Sequence, residues 1–168
     1  MKKFLFLAGL FMAVATASAQ SGNLDQGRLQ LNAGVGISGW GIPVYVGLDY
    51  GVTNDISVGG EFTFRSYSHS SYYTHNIMGF FGNGNYHFNN LFNLPRPLDL
   101  YAGLSLGVYT STVTAKEGKE YYGDSYSGFS LIGQTGARYF FTDNFGVNLE
   151  LSGGLLTSGA KAGITYRF

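Results

Sequence analysis

His69, Ser70 and Ser71 put an imidazole two positions from a hydroxyl, the pair used in acyl transfer, where the ring takes the proton and the serine oxygen attacks. The stretch around them is polar, holds no acid placed to orient the ring, and is rich enough in Ser for a His-x-Ser to arise by accident. His75 and His87 read as ordinary polar residues, and three scattered His make no metal site. There is no Cys, which removes thiolate chemistry, disulfides and a cysteine-linked lipid anchor. The sequence therefore predicts no catalytic, cofactor-binding or metal-binding residue. What remains is fixed charge: Arg28, Asp49, Glu61, Arg65, Asp99, Arg138, Glu150, Lys161 and Arg167. Asp49 with Arg138, and Glu150 with Lys161 or Arg167, are the candidate partners. Such a set serves as an ion pathway or gate, or, more plainly, as a structural salt-bridge network.

These charges fall at alternate positions opposite apolar residues, and period two means a strand with two unlike faces. The alternation occurs eight times. Leu29, Leu31, Ala33, Val35 and Ile37 oppose Arg28, Gln30, Asn32, Gly34 and Gly36. Val44, Val46, Leu48, Tyr50 and Val52 oppose Tyr45, Gly47, Asp49 and Gly51. In the third segment Ile56, Val58, Phe62 and Phe64 oppose Ser57, Gly59, Glu61, Thr63 and Arg65. In the fourth, Met78, Phe80, Tyr86 and Phe88 oppose Asn83, Asn85 and His87, while Ile77 and Phe81 break the pattern. The fifth, Leu98 to Val108, alternates without a fault. The sixth sets Phe129, Leu131, Ala137, Tyr139 and Phe141 against Ser130, Gln134, Gly136 and Arg138. Phe145 to Leu151 and Lys161 to Phe168 complete the set.

Thr53-Asn54-Asp55 and Thr142-Asp143-Asn144 read as tight turns, built from residues that hydrogen-bond their own backbone. Ser66 to Thr74 and Ala115 to Ser127 read as longer polar loops, and they carry Tyr67, Tyr72, Tyr73, Tyr121, Tyr122 and Tyr126. Asn89 to Pro97 is long for its place, and the pattern offers no reason for its length. Gly47, Tyr50, Thr53, Val58 and Glu61 recur at constant offset as Gly136, Tyr139, Thr142, Val147 and Glu150, which repeated hairpins or chance in a low-complexity chain would both produce.

Composition separates a water-facing from a lipid-facing chain. Charged residues make up 12% of the sequence, against about 25% in soluble domains. Lys2 and Lys3 precede an apolar stretch, Phe4 to Val14, and Ala17-Ser18-Ala19 offers small residues for cleavage, so residues 1–19 read as a secretory signal peptide. That stretch is too short to span a bilayer as a helix. The rest, residues 20–168, is one domain and nearly neutral, which gives no electrostatic case for nucleic acid. Outward aromatics gather at one end of the strands, at Tyr50, Tyr86, Phe88, Tyr139, Phe141, Phe145, Tyr166 and Phe168, as amphipathic rings do at headgroup depth. Charges of both signs on the opposite face suit a closed polar interior and would be costly in an apolar core.

Lys161, Gly163, Tyr166 and the terminal Phe168 follow the order polar, any, Gly, any, any, aromatic, any, aromatic. This resembles the C-terminal sorting signal of outer-membrane β-barrels, which implies recognition by the barrel-assembly machinery. Taken whole, residues 20–168 resemble the small barrels of the OmpX and OmpA transmembrane-domain type, in the broad outer-membrane β-barrel or porin-family group. Tyr86-His-Phe-Asn89 and Gly136-Ala-Arg-Tyr-Phe-Phe141 look like strand-end segments of that group. The resemblance implies an all-β, eight-stranded antiparallel up-and-down transmembrane β-barrel, monomeric, in the outer membrane of a Gram-negative bacterium, with both termini periplasmic. It also implies contact with outer-membrane lipid, no cofactor, and a non-enzymatic role. The expected function is structural or surface interaction, with the loop tyrosines meeting a surface ligand or host protein. A narrow pore for ions or small molecules, or an enzyme acting on lipid A or phospholipid, is the alternative; His69 and Ser71 resemble the His-x-Ser of a lipid A deacylase family.

Overall fold

The computed structural model describes residues 22–39, 41–70, 73–115, 126–154 and 158–168. Alternation becomes a sheet because each of these segments has one face that repels water and one that seeks hydrogen bonds. The strands are β1 (Leu29–Ser38), β2 (Val44–Gly51), β3 (Ile56–Ser70), β4 (Tyr73–His87), β5 (Leu98–Ala115), β6 (Tyr126–Phe140), β7 (Phe145–Gly154) and β8 (Ser158–Arg167). Every neighbour pair is antiparallel, and β8 closes on β1 to give an eight-stranded barrel with no free edge.

The register fixes the barrel's shape. Following paired residues once round, Ser38 leads through Gly159, Ser152, Gln134, Gly103, Asn85 and Ser57 to Gly51, whose N–H donates to Arg28 O. The circuit thus returns to β1 at position 28 instead of 38, a stagger of ten residues. With strands ~4.8 Å apart and a rise of ~3.3 Å per residue, that stagger tilts the strands by roughly 40°. Because the stagger is even, inner and outer faces stay in phase around the whole wall.

The wall is apolar outside and polar inside. Leu104, Val108, Phe129, Leu149, Ile164 and Phe80 all stand 50% or more exposed on the outer face. The buried set is mostly polar or charged: Gln30, Asn32, Asp49, Ser57, Asn85, His87, Asp99, Arg138 and Thr165 among others. From Leu98 to Val108 the outward residues of β5 climb about 33 Å along the strand, which the tilt reduces to about 25 Å, the height of the lipid-facing band in outer-membrane barrels. Above that band the outward residues turn polar, at Ser66, Asn76, Thr112 and Ser127. Strands β3 to β6, of 15 to 18 residues, run past it, whereas β1, β2, β7 and β8 have 8 to 10.

The strands extend into both polar stretches, and the fault in the fourth strand has a cause. Ser66 to Thr74 is mostly strand, since β3 and β4 stay paired as far as Ser70 and Tyr73; cross-strand hydrogen bonds continue once the side chains have left the apolar band. Ala115, Tyr126 and Ser127 likewise belong to strands. The two residues that broke the pattern in β4 point inward: Ile77 is 4% exposed, and the Phe81 ring lies against the bare backbone of Gly107 and Gly79. Phe140 and Ile132 of β6 are also inward and buried.

Asn89 to Pro97 contains a short helix, α1 (Asn89–Phe92), ended by Asn93 in the left-handed conformation that Asn tolerates. Its Phe92 stacks on Phe88 at 5.6 Å, and both Leu91 and Phe92 are exposed, so the connection extends the outward aromatic ring at that end. Within the ring Tyr86 meets Phe88 at 5.2 Å, Tyr139 meets Phe141 at 5.5 Å and Tyr166 meets Phe168 at 5.2 Å, all edge to face. The tight turns at the same end carry equivalent locks. The Thr53 hydroxyl accepts from Asp55 N–H and the Thr142 hydroxyl from Phe145 N–H.

Candidate functional site

The polar residues inside the barrel form two tiers. In the tier nearer the tight turns, Arg138 of β6 is the hub. Its Nη1 donates to Asp99 Oδ2 and its Nη2 to Asp49 Oδ2, each at 3.0 Å, so one guanidinium ties β6 to β5 beside it and to β2 across the lumen. Asn32 Nδ2 donates to the same Asp49 oxygen at 2.9 Å. The guanidinium also lies 4.0 Å from the centre of the Tyr101 ring. A charge this enclosed, 3% exposed, is tolerable only because it is paired and hydrogen-bonded.

Asp99 Oδ1 stands 2.8 Å from His87 Nδ1, and His87 Nε2 stands 2.9 Å from Ser57 Oγ. This is the connectivity of a hydrolase triad, hydroxyl to one ring nitrogen and carboxylate to the other. All three side chains are fully enclosed at 0% exposure, and the backbone of Leu24 and Asp25 lies against Gly51, the cross-strand neighbour of Ser57. A triad needs an open face for a substrate carbonyl, and Asp99 is here shared with Arg138. The arrangement is a clamp joining β3, β4 and β5. His87, an ordinary polar residue by sequence, has one signal of this role there, its inward place in β4.

The second tier centres on Lys161 of β8. Its Nζ donates to both oxygens of Glu61, at 2.6 and 2.8 Å, and stands 2.8 Å from Glu150 Oε1 in an ion pair. Tyr101 Oη donates to the other Glu150 oxygen at 2.9 Å, and Tyr45 Oη donates to Asn148 at 2.6 Å. The rings of Tyr101 and Tyr45 fill space left by glycines: a Cβ at Gly136 would meet the Tyr101 ring at 2.4 Å, and one at Gly163 would meet Tyr45 Oη at 2.6 Å. Glycine on one strand thus makes room for an aromatic of another.

The structure brings together Asp49, Glu61, Arg138, Glu150 and Lys161, with Asp99. Glu150 meets Lys161; Arg167 instead donates from Nε to Gln30 at 3.2 Å and from Nη2 to Gly22 O, and covers Phe140 at 3.5 Å. Arg28 lies outside the network at the barrel's rim, where its Nε donates to Phe168 O at 2.8 Å, because its position precedes the first inward residue of β1. Arg65 donates to Ser38 Oγ at 3.0 Å, nearer the other end. There a cavity of about 80 Å³ is lined by Glu61, Arg65, Ile77, Phe81, Ser130 and Lys161 among others. Tyr166 and Phe168 of the terminal motif face outward, while Lys161 and Gly163 face inward. Tyr67, Tyr73 and Tyr126 fall in β3, β4 and β6, and His69 and Ser70 in β3; Ser71, Tyr72, Tyr121 and Tyr122 lie outside the described residues.

No family model and no curated protein sequence matches this chain. Solved structures do. The outer membrane protein OprG from Pseudomonas aeruginosa aligns with a TM-score of 0.70 at 10% identity, over 89% of this chain and 99% of that one. The N-terminal β-barrel domain of Pseudomonas aeruginosa OprF gives 0.60 at 17% identity, over 85% and 98%. Ail, the attachment invasion locus protein of Yersinia pestis, gives 0.58 at 20% identity, over 85% and 99%. At such identities the likeness speaks for architecture alone. With its apolar outer band, aromatic ring and closed eight-strand wall, the chain has the fold of the small outer-membrane β-barrels.

Proposed function

We propose that this protein is an integral outer-membrane barrel with a plugged interior that acts through the end where β3 to β6 overshoot the lipid band. The observation that carries the reading is the pairing of filled lumen with uneven wall. Lys161 with Glu61 and Glu150, and Arg138 with Asp49 and Asp99, block the axis, as expected where eight strands leave only enough room for side chains. The four long strands then present polar wall and Tyr- and Ser-rich connections beyond the membrane. Tyr supplies broad contact area at low entropic cost and a hydroxyl to hydrogen-bond, which suits a surface that binds a protein or glycan.

Ail has been solved in complex with a heparin analogue, sucrose octasulfate. In this chain residues 66–74 have no Lys, Arg, Asp or Glu, and 116–125 hold Lys116 and Lys119 against Glu117, Glu120 and Asp124. That balance favours an aromatic, hydrogen-bonding contact over capture of a polyanion. Residues 1–19 act as the export signal in this reading, and Lys161, Gly163, Tyr166 and Phe168 as the assembly signal.

The test is conductance of refolded protein in planar bilayers, run beside lipid hydrolysis assays. Closed traces and no hydrolysis are expected, both from the native protein and from one with residues 67–73 and 116–125 shortened. Large steady currents from both would establish a pore and overturn the display reading.

A further inference from the structure

Asp49, Gly59 and Asn83 lie side by side on one rung of the inner wall, Asp49 paired with Gly59 and Gly59 with Asn83. The middle residue has no side chain, and its two neighbours lean over the gap. A Cβ built at Gly59 would lie 2.4 Å from Asp49 Oδ1 and 2.6 Å from Asn83 Oδ1, so the two oxygens are no more than about 5 Å apart. Neither has a hydrogen-bond partner within the protein, although both are buried and Asp49 is only 2% exposed. Arg138 Nε is a buried donor in the same condition. Asp49, Asn83 and Arg138 all line one void of about 20 Å³ between the two charged tiers.

We propose that this void is a built site for one water molecule, held beside Gly59 between the two oxygens. A buried water needs about 10–15 Å³ and two to four polar partners. Its two protons suit two acceptors, and at ~2.8 Å per hydrogen bond a tetrahedral water spans oxygens about 4.6 Å apart. Its lone pairs are free to accept from Arg138 Nε. A cation would use the oxygens but would stand against the guanidinium, and among the described residues no three acidic or His side chains are placed to hold a metal. The water joins β2 to β4 across β3.

Diffraction from the full chain in detergent tests this, with and without exchange of sodium for rubidium. One peak about 2.8 Å from both oxygens, with no anomalous signal after exchange, is the expected result. An anomalous peak would replace water by a cation. An Asn83 amide turned to donate directly to Asp49 would remove the site. In solution, oxygen-17 relaxation dispersion of the protein in micelles should count one fewer long-lived internal water in Asn83→Leu than in wild type. An equal count would overturn the proposal, and Asn83→Ser, which keeps an oxygen, should restore the wild-type number.

Discussion

Replacing Lys161 by Met should destabilise the barrel by about 3–5 kcal/mol, the range for removing one partner of a buried ion pair. The structure places this case toward the lower part of that range, since Lys161 and Glu61 are each 15% exposed and Glu150 12%. The loss comes less from missing attraction than from what stays behind: two carboxylates from opposite walls, facing each other with no cation between them. Glu61→Gln should cost about 1.5–3 kcal/mol, because Glu61 accepts two charge-assisted hydrogen bonds from Nζ. Glu150→Gln should cost less, since one Glu150 oxygen meets Nζ where Glu61 offers two. The decisive comparison is Lys161→Met in a Glu61→Gln, Glu150→Gln background, where it should cost under about 1 kcal/mol, a coupling of at least 2 kcal/mol among contacting residues. Urea titration of refolded protein in micelles, read by loss of heat-modifiable gel migration, measures all five variants, the double-Gln background included. Equal losses from Lys161→Met in both backgrounds would refute the charge argument and leave only packing.

Ser57→Ala should lower stability by about 1–2 kcal/mol, because it leaves a fully buried His87 nitrogen without its partner; an unchanged urea midpoint would show the clamp to be idle. Mass analysis of the N-terminus of membrane-assembled protein should find Gln20 first, and intact Met1 would remove the signal-peptide reading. Deleting Phe168 should strand the chain before assembly while purified protein still refolds in detergent, because Phe168 is 60% exposed and its ring touches mainly Tyr166; normal surface assembly would overturn the sorting role.

The wall was legible and the plug only partly so, for a physical reason. Facing follows from period two, which one strand records by itself, so the outward Leu104, Leu106 and Val108 of β5 needed no partner strand to be read. Partners across a lumen depend on stagger, which no single strand records. Asp49 with Arg138 was within reach because both are inward and oppositely charged. The choice between Lys161 and Arg167 for Glu150 was not, because it rests on Glu150 pairing directly with Lys161 across the β7–β8 register. Ile77, Phe81, Ile132 and Phe140 were obscured for another reason. A polar interior still needs bulk where glycines leave gaps, and an inward Phe in a barrel looks like a broken alternation. The polar amides Gln30, Asn32, Asn85 and Gln134 were visible as inward but not as parts of a network, since amides announce no partner by charge.

The internal echo gains its meaning from closure. Gly47 pairs with Glu61 across β2 and β3, and Gly136 pairs with Glu150 across β6 and β7. The two hairpins are four strands apart, which in an eight-stranded ring is half a turn, so equivalent residues face each other through the axis. Over Gly47 the space is left to the Glu61 side chain, and over Gly136 to the ring of Tyr101, which donates to Glu150; a Thr hydroxyl closes the turn below each copy. Two such glutamates would repel each other in a narrow interior; a single Lys161 converts that repulsion into a tie between opposite walls. The repeated pattern along the chain and the single cation that breaks its symmetry are therefore parts of one device. It holds only while the ring is closed, which couples the β1–β8 seam to the charges at the centre.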